Sequence, residues 1–172
     1  LYYSEALEIQ RRLAKENPAA YEPDVAMSLN NLAVLYNDTK ESDKSKEYYC
    51  QALEAYKKLD IKQPATYDAN IAKILYNLAR LYNNTVESKK YYTEALDVYR
   101  RLAAKKPATY ATEVAKALYY LAKIHYDTNE TAKCKECYNE ALKIFQNEAA
   151  GAPDKYKQYI TSITENLSKL NK

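Results

Sequence analysis

Four copies of a six-residue segment recur along this chain, and their regular spacing limits what the chain can fold into. The copies read NLAVLY, NLARLY, YLAKIH and NLSKLN, and they begin at Asn31, Asn77, Tyr120 and Asn166. Successive copies are therefore 46, 43 and 46 residues apart. An Ala-Leu pair keeps the same steps, with its alanine at Ala6, Ala52, Ala95 and Ala141. A Pro that precedes a Tyr by three residues also keeps them, at Pro18, Pro64, Pro107 and Pro153. Landmarks that share one period indicate a chain built from repeated structural units.

The composition and the spacing of apolar residues predict that these units are helical. The 172 residues include one Gly and five Pro, and no segment shows the alternation of apolar and polar residues that is typical of strands. Between prolines and turn residues, apolar residues recur at helical spacing, as Val25, Leu29, Leu32 and Tyr36 do. The sequence predicts eight helices joined by short loops, at residues 1–16, 22–37, 42–60, 68–83, 86–104, 111–127, 131–148 and 154–170.

Equivalent positions in the repeats carry equivalent side chains. One position holds Ala33, Ala79, Ala122 and Ser168, and another holds Tyr3, Tyr49, Tyr92 and Tyr138. Small residues let two helices approach closely, and the larger ones fill the space between neighbouring pairs. A single helix pair cannot bury its apolar face, whereas stacked pairs can. This pattern predicts an all-α solenoid of antiparallel helix pairs.

The repeated residues resemble a known family. Leu32-Ala33-x-x-Tyr36, followed by Ser45, Tyr49 and Ala52, resembles the tetratricopeptide repeat (TPR). The usual repeat has 34 residues, and here it is about 12 longer. Together with the segment PDVAMSLNNLA at 23–33, this length resembles the extended repeats of kinesin light chains and their bacterial relatives. The resemblance implies a right-handed TPR-like superhelix of about eight helices that forms a single array over residues 1–172.

The charge balance argues against several classes of partner. The chain has 26 basic and 23 acidic residues, so its net charge is only +3, which predicts no nucleic-acid partner and no attraction to membranes. No apolar run approaches the roughly 18 residues of a membrane span. Three cysteines without a disulfide pattern favour a reducing compartment, and we predict a cytoplasmic protein. The chain begins with Leu rather than Met, so the lack of a targeting signal carries little weight.

Cys134 and Cys137 form a Cys-x-x-Cys motif with His125 nearby, which raises the possibility of a metal or redox site. A structural zinc site normally takes four ligands, commonly from two such pairs, and a redox motif requires a strand–helix context. Within the repeat, Cys134 takes the place of the small residues Ser45 and Ser88. We therefore predict structural thiols, with no metal site and no cofactor.

The remaining motifs have structural interpretations. Asn37, Asn83, Asn129 and Asn166 begin Asn-x-Ser/Thr sequons, which are glycosylation acceptors in secreted eukaryotic proteins. Asn37 and Asn83 follow helix ends, where Asn tolerates left-handed backbone geometry, so we interpret them as turn residues. The only His is His125, and no Ser or Cys has an evident base and orienting partner. We predict that the chain is not an enzyme and has no catalytic residues.

One set of polar residues predicts a ligand groove. In the TPR family the first helix of each repeat lines the concave surface, and the residues facing that surface are spaced three or four apart. Two successive repeats carry the same basic–Tyr–basic pattern, and Asn or Tyr lies one position further round the helix. The predicted groove residues are Asn30, Asn31, Lys73, Tyr76, Asn77, Arg80, Lys116, Tyr119, Tyr120 and Lys123. They would bind an acidic or carboxylate-bearing segment, and the alternative is a solvated charged face.

A terminal-carboxylate clamp, which some TPR domains have, does not match this groove, since only Asn77 and Lys116 agree with its set. We predict a protein–protein interaction scaffold that binds a peptide or protein segment. The alternative is a regulatory or localising domain of a larger multidomain enzyme or sensor protein. A helical-repeat reader of nucleic acids would need matched side chains in every repeat, and the equivalent residues Asn30, Tyr76, Tyr119 and Glu165 are not matched.

The two ends of the repeat pattern differ. Leu1 falls inside a second helix whose first-helix partner is missing, which predicts a fragment of a longer protein. We predict a monomer, or weak self-association through the open N-terminal end. In the last helix, Thr161, Thr164 and Ser168 take positions that are apolar in the three earlier copies. Because terminal repeats need a polar outer face, we predict that residues 154–172 form a capping helix.

Overall fold

The structure, a computed structural model, describes residues 2–83 and 85–171. Within those residues the chain forms eight helices and no strand, as the sequence predicted. The helices are α1 (Tyr2–Glu16), α2 (Pro18–Asp38), α3 (Ser42–Lys62), α4 (Asp68–Tyr82), α5 (Val86–Lys105), α6 (Pro107–Asp127), α7 (Thr131–Ala149) and α8 (Pro153–Leu170). Leu1, which was predicted to lie inside the first helix, lies outside the described residues, as does Lys172 at the end of the predicted capping helix.

Two helices begin about one turn earlier than predicted. Pro18 and Pro107 lie outside the predicted helices, but they are the first residues of α2 and α6. A Pro at this position loses nothing, because the first N–H groups of a helix have no partner within the helix. The side chain of Asn17 accepts a hydrogen bond from the Ala20 N–H at 3.3 Å and so caps α2.

The chain divides into two compact units, residues 1–81 (unit 1) and 82–172 (unit 2). In unit 1, α2 packs against both α1 and α3, and α4 is hydrogen-bonded to α3 through Asn70–Tyr56 and Asn77–Tyr49. In unit 2, α6 packs against both α5 and α7, and α7 packs against α8. The single array over residues 1–172 stays a prediction.

The predicted small-residue and leucine positions form the cores of both units. Ala33, Ala79 and Ala122 are fully buried, and Leu78 is fully buried beside Ala79. Ser45 shows why a small residue is needed where the second helix crosses the first. Its side chain is fully buried and its Oγ donates a hydrogen bond to the Ala33 carbonyl at 2.8 Å. The predicted columns are core positions in their inner copies, whereas their terminal members Tyr3 and Ser168 are exposed.

The step of 43 residues is three shorter than the other two, and the difference arises in the connection between α4 and α5. Tyr36 and Ser45 are nine positions apart, whereas the equivalent Tyr82 and Ser88 are only six apart. The aromatic contact next to this loop is kept in both cases, with ring centroids 5.3 Å apart for Tyr36–Tyr48 and 5.5 Å for Tyr82–Tyr91. The deletion therefore shortens the connection without removing the packing beneath it.

The left-handed residues at the helix ends differ in part from the prediction. Asn83 has a φ of 44° directly after α4, as the turn interpretation requires. Asn37, however, lies inside α2, and the left-handed residue there is Lys40, with a φ of 62°. The prediction was wrong at Asn37 because α2 continues to Asp38 and closes with a hydrogen bond from the Glu41 N–H to the Tyr36 carbonyl, 2.8 Å long.

Candidate functional site

The ten predicted groove residues lie on three helices in two units. Helices α2 and α4 of unit 1 carry six of them, and α6 of unit 2 carries four. Lys73, Arg80 and Lys123 are exposed, whereas the other seven are half-buried. The face of each unit is described in turn.

In unit 1, a small polar pocket of about 100 Å³ lies beside Arg80. Its walls are formed by Asn37, Tyr49, Asn77, Arg80 and Leu81. The Asn77 amide donates a hydrogen bond to the Tyr49 hydroxyl at 3.1 Å. Burial raises the pKa of Tyr49, although the hydrogen bond from Asn77 opposes this shift. The hydroxyl therefore keeps its own proton and remains able to donate a hydrogen bond.

The positive charge of Arg80 is not balanced within the described part of the chain. Its guanidinium is exposed and forms no ion pair with a carboxylate of residues 2–83 or 85–171. Lys73, two turns earlier on α4, is also exposed and has no such partner. The donors around the pocket are thus a guanidinium, two side-chain amides and a phenol, which is a set that suits a carboxylate.

Sequence reasoning missed two residues of this pocket. Asn37 was interpreted only as a turn residue, and Tyr49 only as a core residue. Tyr49 is indeed almost fully buried, yet its hydroxyl contributes to the pocket wall, because a Tyr combines an apolar ring with a polar tip. The one sequence signal that pointed to Asn37 was that Asn37 and Asn83 occupy equivalent positions in successive repeats.

The predicted residues of α2 make a weaker case. Asn30 and Asn31 are both half-buried, and neither contributes to the walls of the pocket beside Arg80. The Oδ1 atom of Asn30 is buried and has no hydrogen-bond partner. Their predicted role as ligand residues stays a prediction.

In unit 2, most of the predicted groove residues interact with other residues of the same unit. Lys116 pairs with Glu113 at 2.9 Å. The Tyr119 hydroxyl is hydrogen-bonded to the Ser162 hydroxyl at 3.0 Å. The Lys123 ammonium lies 5.8 Å from the Tyr119 ring centroid and 5.9 Å from that of Tyr120. An exposed cation–π contact of this kind stabilises by only about 0.5–1 kcal/mol. It does not neutralise the ammonium group, so Lys123 keeps its positive charge at the surface.

The repeat position that holds Asn77, Tyr120 and Asn166 makes contacts with other residues of its own unit. Asn77 donates to Tyr49, and Asn166 donates to the Tyr138 hydroxyl at 3.2 Å. Where Tyr120 replaces the Asn, its ring stacks on Tyr92 with centroids 5.4 Å apart and parallel planes. Each Asn uses one amide hydrogen in this way and retains its Oδ1 and a second hydrogen. Binding of a peptide backbone by these amides stays a prediction.

The Cys-x-x-Cys motif lies in the packed interior of unit 2. Cys134 is fully buried at the position that Ser45 and Ser88 take in the earlier repeats, and those serines are also fully buried. Burial raises the pKa of Cys134, and burial raises that of Cys137 to about 11. Within residues 2–83 and 85–171, no group of three or more His, Cys, Asp and Glu side chains could hold a metal ion.

These environments predict an order of thiol reactivity. Cys50 is exposed, Cys137 half-buried and Cys134 buried, and the thiolate is the reactive form. In the native protein at about pH 8, Ellman's reagent should react with Cys50 first, with Cys137 slowly and with Cys134 only on unfolding. Stopped-flow absorbance with a Cys50→Ser variant as the reference would assign the phases. A fast phase from Cys134, or stoichiometric zinc bound through Cys134 and Cys137, would contradict this.

Glu130, at the turn between α6 and α7, interacts with several donors. Its carboxylate pairs with Lys133 at 2.6 Å and with Lys89, and accepts a hydrogen bond from the Thr128 hydroxyl at 2.9 Å. The Nδ1 atom of the buried His125 lies 3.2 Å from it. Hydrogen bonds from Lys133, Lys89 and Thr128 hold the pKa of Glu130 well below its ordinary value. The ionised carboxylate therefore links α5, through Lys89, to the start of α7.

A pH-dependent contribution to stability follows from this shift. A carboxylate whose pKa is lowered on folding stabilises the protein above its unfolded pKa of about 4.3, and this stabilisation is lost as the pH falls through the folded value. Glu130→Gln should therefore destabilise unit 2 at neutral pH, and the difference from the parent should shrink as the pH falls below about 4. Urea denaturation across this pH range would measure it. Glu136→Gln, an exposed change on α7, should show no such trend, and a constant gap for Glu130→Gln would contradict the assignment.

Comparison with known proteins supports the repeat assignment. Residues 27–59 and 115–148 match the family model described as Tetratricopeptide repeat. The crystal structure of BtubC (BKLC) from P. vanneervenii superposes with a TM-score of 0.63 at 22% sequence identity. The match covers 98% of this chain but only 63% of the BtubC chain, so this chain spans less than two thirds of that protein. At this identity the likeness shows the fold, and the predicted α-solenoid class is confirmed.

A second solved structure superposes less well on this chain. The crystal structure of MamA matches with a TM-score of 0.42 at 20% identity, over 97% of this chain and 90% of that one. No curated protein sequence matches this chain. Among the described residues, none of the helices is long and apolar enough to cross a membrane.

Proposed function

We propose that this chain is a protein-interaction scaffold that binds an acidic peptide or protein segment, and its match to the tetratricopeptide repeat over residues 27–59 and 115–148 supports this. The proposed binding residues are the predicted groove residues, on α2 and α4 in unit 1 and on α6 in unit 2, with Asn37 and Tyr49 of unit 1 added to the set. The observation that carries the proposal is the pocket beside Arg80. It combines an unpaired guanidinium with amide and phenol donors in a space of about 100 Å³.

A carboxylate fits this pocket chemically. The guanidinium of Arg80 can form two parallel hydrogen bonds to a carboxylate, while Asn37, Asn77 and the Tyr49 hydroxyl offer neutral donors around it. A hydrogen bond that involves a charged group contributes about 1.5–3 kcal/mol, so one Asp or Glu side chain in this pocket could anchor an otherwise extended segment. Lys73, two turns earlier on the same helix, would add attraction for further acidic residues. A groove of this kind would bind on the order of −8 kcal/mol, in the micromolar range.

Replacing Lys73, Arg80, Lys116 and Lys123 together with Ser should leave the helix content unchanged and weaken the binding of acidic peptides. The probe is a panel of end-blocked peptides rich in Asp and Glu, compared with the same peptides carrying Asn and Gln. Fluorescence anisotropy should show that the parent protein prefers the acidic panel. This preference should fall as salt increases, because exposed charges more than about 8–10 Å apart are screened at physiological salt.

Single substitutions sharpen the test. Arg80→Ser should weaken binding more than Lys116→Ser, because Lys116 is already neutralised by Glu113. The matched control changes four exposed lysines of unit 2 that lie outside the face, Lys90, Lys105, Lys106 and Lys143, to Ser. This control removes the same net charge and should retain more of the binding. If both quadruple variants bind equally, the charges attract the peptide without forming a site, and if binding does not depend on salt, the charges do not contribute to it. Either result contradicts the proposal.

A further inference from the structure

A second cleft, unrelated to the groove, lies in unit 1 between α1, α2 and α3. Its volume is about 390 Å³, which falls in the range of small-molecule sites. The floor is apolar, and it is formed by Ala14, Val25, Leu29, Ala55 and Leu59. Leu29 and Leu59 are buried in the core of the unit, so the floor is held by packed side chains. None of the ten predicted groove residues lines this cleft.

The repeat explains why the cleft is open. Ala55 takes the position that larger residues, Val98 and Ile144, take in the next two second helices. Val98 is buried and Ile144 is half-buried in unit 2. A methyl group at position 55 leaves empty the volume that these longer side chains fill. The small side chain of Ala55 therefore contributes to the open volume of the cleft.

The rim of the cleft carries excess positive charge. Both carboxylates of the rim are paired, since Glu54 pairs with Lys58 at 2.6 Å and Glu22 pairs at 2.7 Å with Lys62, which does not line the cleft. The Arg11 guanidinium, by contrast, donates to the neutral amide oxygen of Gln51 at 2.9 Å.

Lys15 lies one helical turn after Arg11 and so shares its face of α1. Neither cation pairs with a carboxylate of the described residues. Two unbalanced positive charges therefore border an apolar floor.

The geometry points to a site for a small aromatic carboxylate. An aromatic ring would cover the apolar floor, and its carboxylate would meet Arg11 and Lys15 at the rim. Arg suits both parts of such a ligand, because a guanidinium stacks on aromatic faces and pairs bidentately with carboxylates. This class of ligand combines the volume, the apolar lining and the charge that the cleft offers.

The test uses 1-naphthaleneacetate as the probe and the uncharged 1-naphthaleneacetamide as its control. In a titration of the ¹⁵N-labelled protein, the acid should shift the amide signals of Arg11, Ala14 and Ala55 saturably. A ligand of this size should bind with a Kd of about 1 mM or tighter. The amide should bind about ten-fold more weakly, because it lacks the charge-assisted contact. Equal binding of acid and amide, or shifts that do not saturate, would overturn the assignment.

Substitutions at two lining residues, Ala55 and Arg11, test where the probe binds. Ala55→Ile fills the cleft with the residue that stands at the equivalent position 144, and it should abolish the saturable shifts. Arg11→Gln should weaken the acid about ten-fold, while Arg12→Gln should not weaken it. Arg12 is an exposed neighbour on the same helix and does not line the cleft. Equal effects of Arg11→Gln and Arg12→Gln would overturn the assignment, and this pair decides the matter even if Ala55→Ile does not fold.

Discussion

We expect Leu78→Ala to lower the free energy of unfolding by about 2–5 kcal/mol, because it removes a fully buried leucine from the core of unit 1. Lys106→Ala should change it by less than about 0.5 kcal/mol. The Lys106 side chain is exposed, and the bond from its backbone N–H to the Leu102 carbonyl survives the change. Chemical denaturation followed by circular dichroism would measure both values.

A matched control uses the same chemical change on the surface. Leu35 is 38% exposed on α2, so its truncation removes much less buried surface than truncation of Leu78. Leu35→Ala should therefore lower the free energy of unfolding by clearly less than Leu78→Ala does. If the three variants unfold at the same denaturant concentration, the assignment of position 78 to the repeat core is wrong.

The helix pattern could be predicted from the sequence because it depends on residues repeated several times. The sequence pattern predicted close helix packing at Ala33, Ala79 and Ala122, and all three are fully buried. The helix boundaries were less predictable. A Pro such as Pro18 can follow one helix or begin the next, and the sequence alone did not distinguish these cases. Asn17 caps the helix that begins at Pro18, but the residues before Pro107 and Pro153 make no side-chain cap hydrogen bond, so capping alone does not decide where a helix begins.

The candidate site could be predicted only in part. Exposed cations such as Lys73 and Arg80 follow from helical spacing, because their neighbours in the repeat are core residues. The pairing of Lys116 with Glu113 also follows from spacing, since residues three apart on a helix are neighbours. The pocket beside Arg80 does not, because it requires the Tyr49 hydroxyl to reach the surface from a nearly buried ring. Contacts between helices depend on side-chain directions that a one-dimensional pattern does not contain.

One core position of unit 2 shows how such contacts change together from repeat to repeat. Tyr56 in unit 1 accepts a hydrogen bond from the Asn70 amide at 3.3 Å. At the equivalent pair in the last repeat, Phe145 replaces the Tyr and Tyr159 replaces the Asn. Their rings stack with centroids 4.6 Å apart and planes inclined by 13°. A phenol with an amide donor in one repeat corresponds to a stacked ring pair in the other.

Phe145→Ala should therefore cost about 3–5 kcal/mol of unfolding free energy, because the ring is fully buried and also contacts Tyr156. Tyr126→Ala, at a ring that is 45% exposed on α6, should cost much less. Phe145→Tyr should cost about 1–3 kcal/mol, since it introduces a buried hydroxyl that lacks the amide partner of Tyr56. Urea denaturation of the three variants would test this order.

The double variant Phe145→Tyr with Tyr159→Asn gives the sharpest test of the exchange between repeats. Tyr159→Asn alone should destabilise unit 2, because it removes the stacking on Phe145 and the edge contact with Tyr119. Combined with Phe145→Tyr, the introduced amide can donate to the introduced hydroxyl as Asn70 does to Tyr56. The double variant should then be more stable than the sum of the single changes predicts, by about 0.5–3 kcal/mol. Strict additivity in this double-mutant cycle would show that the two positions vary independently, and that the hydrogen-bonded pair of unit 1 cannot be transplanted to the last repeat.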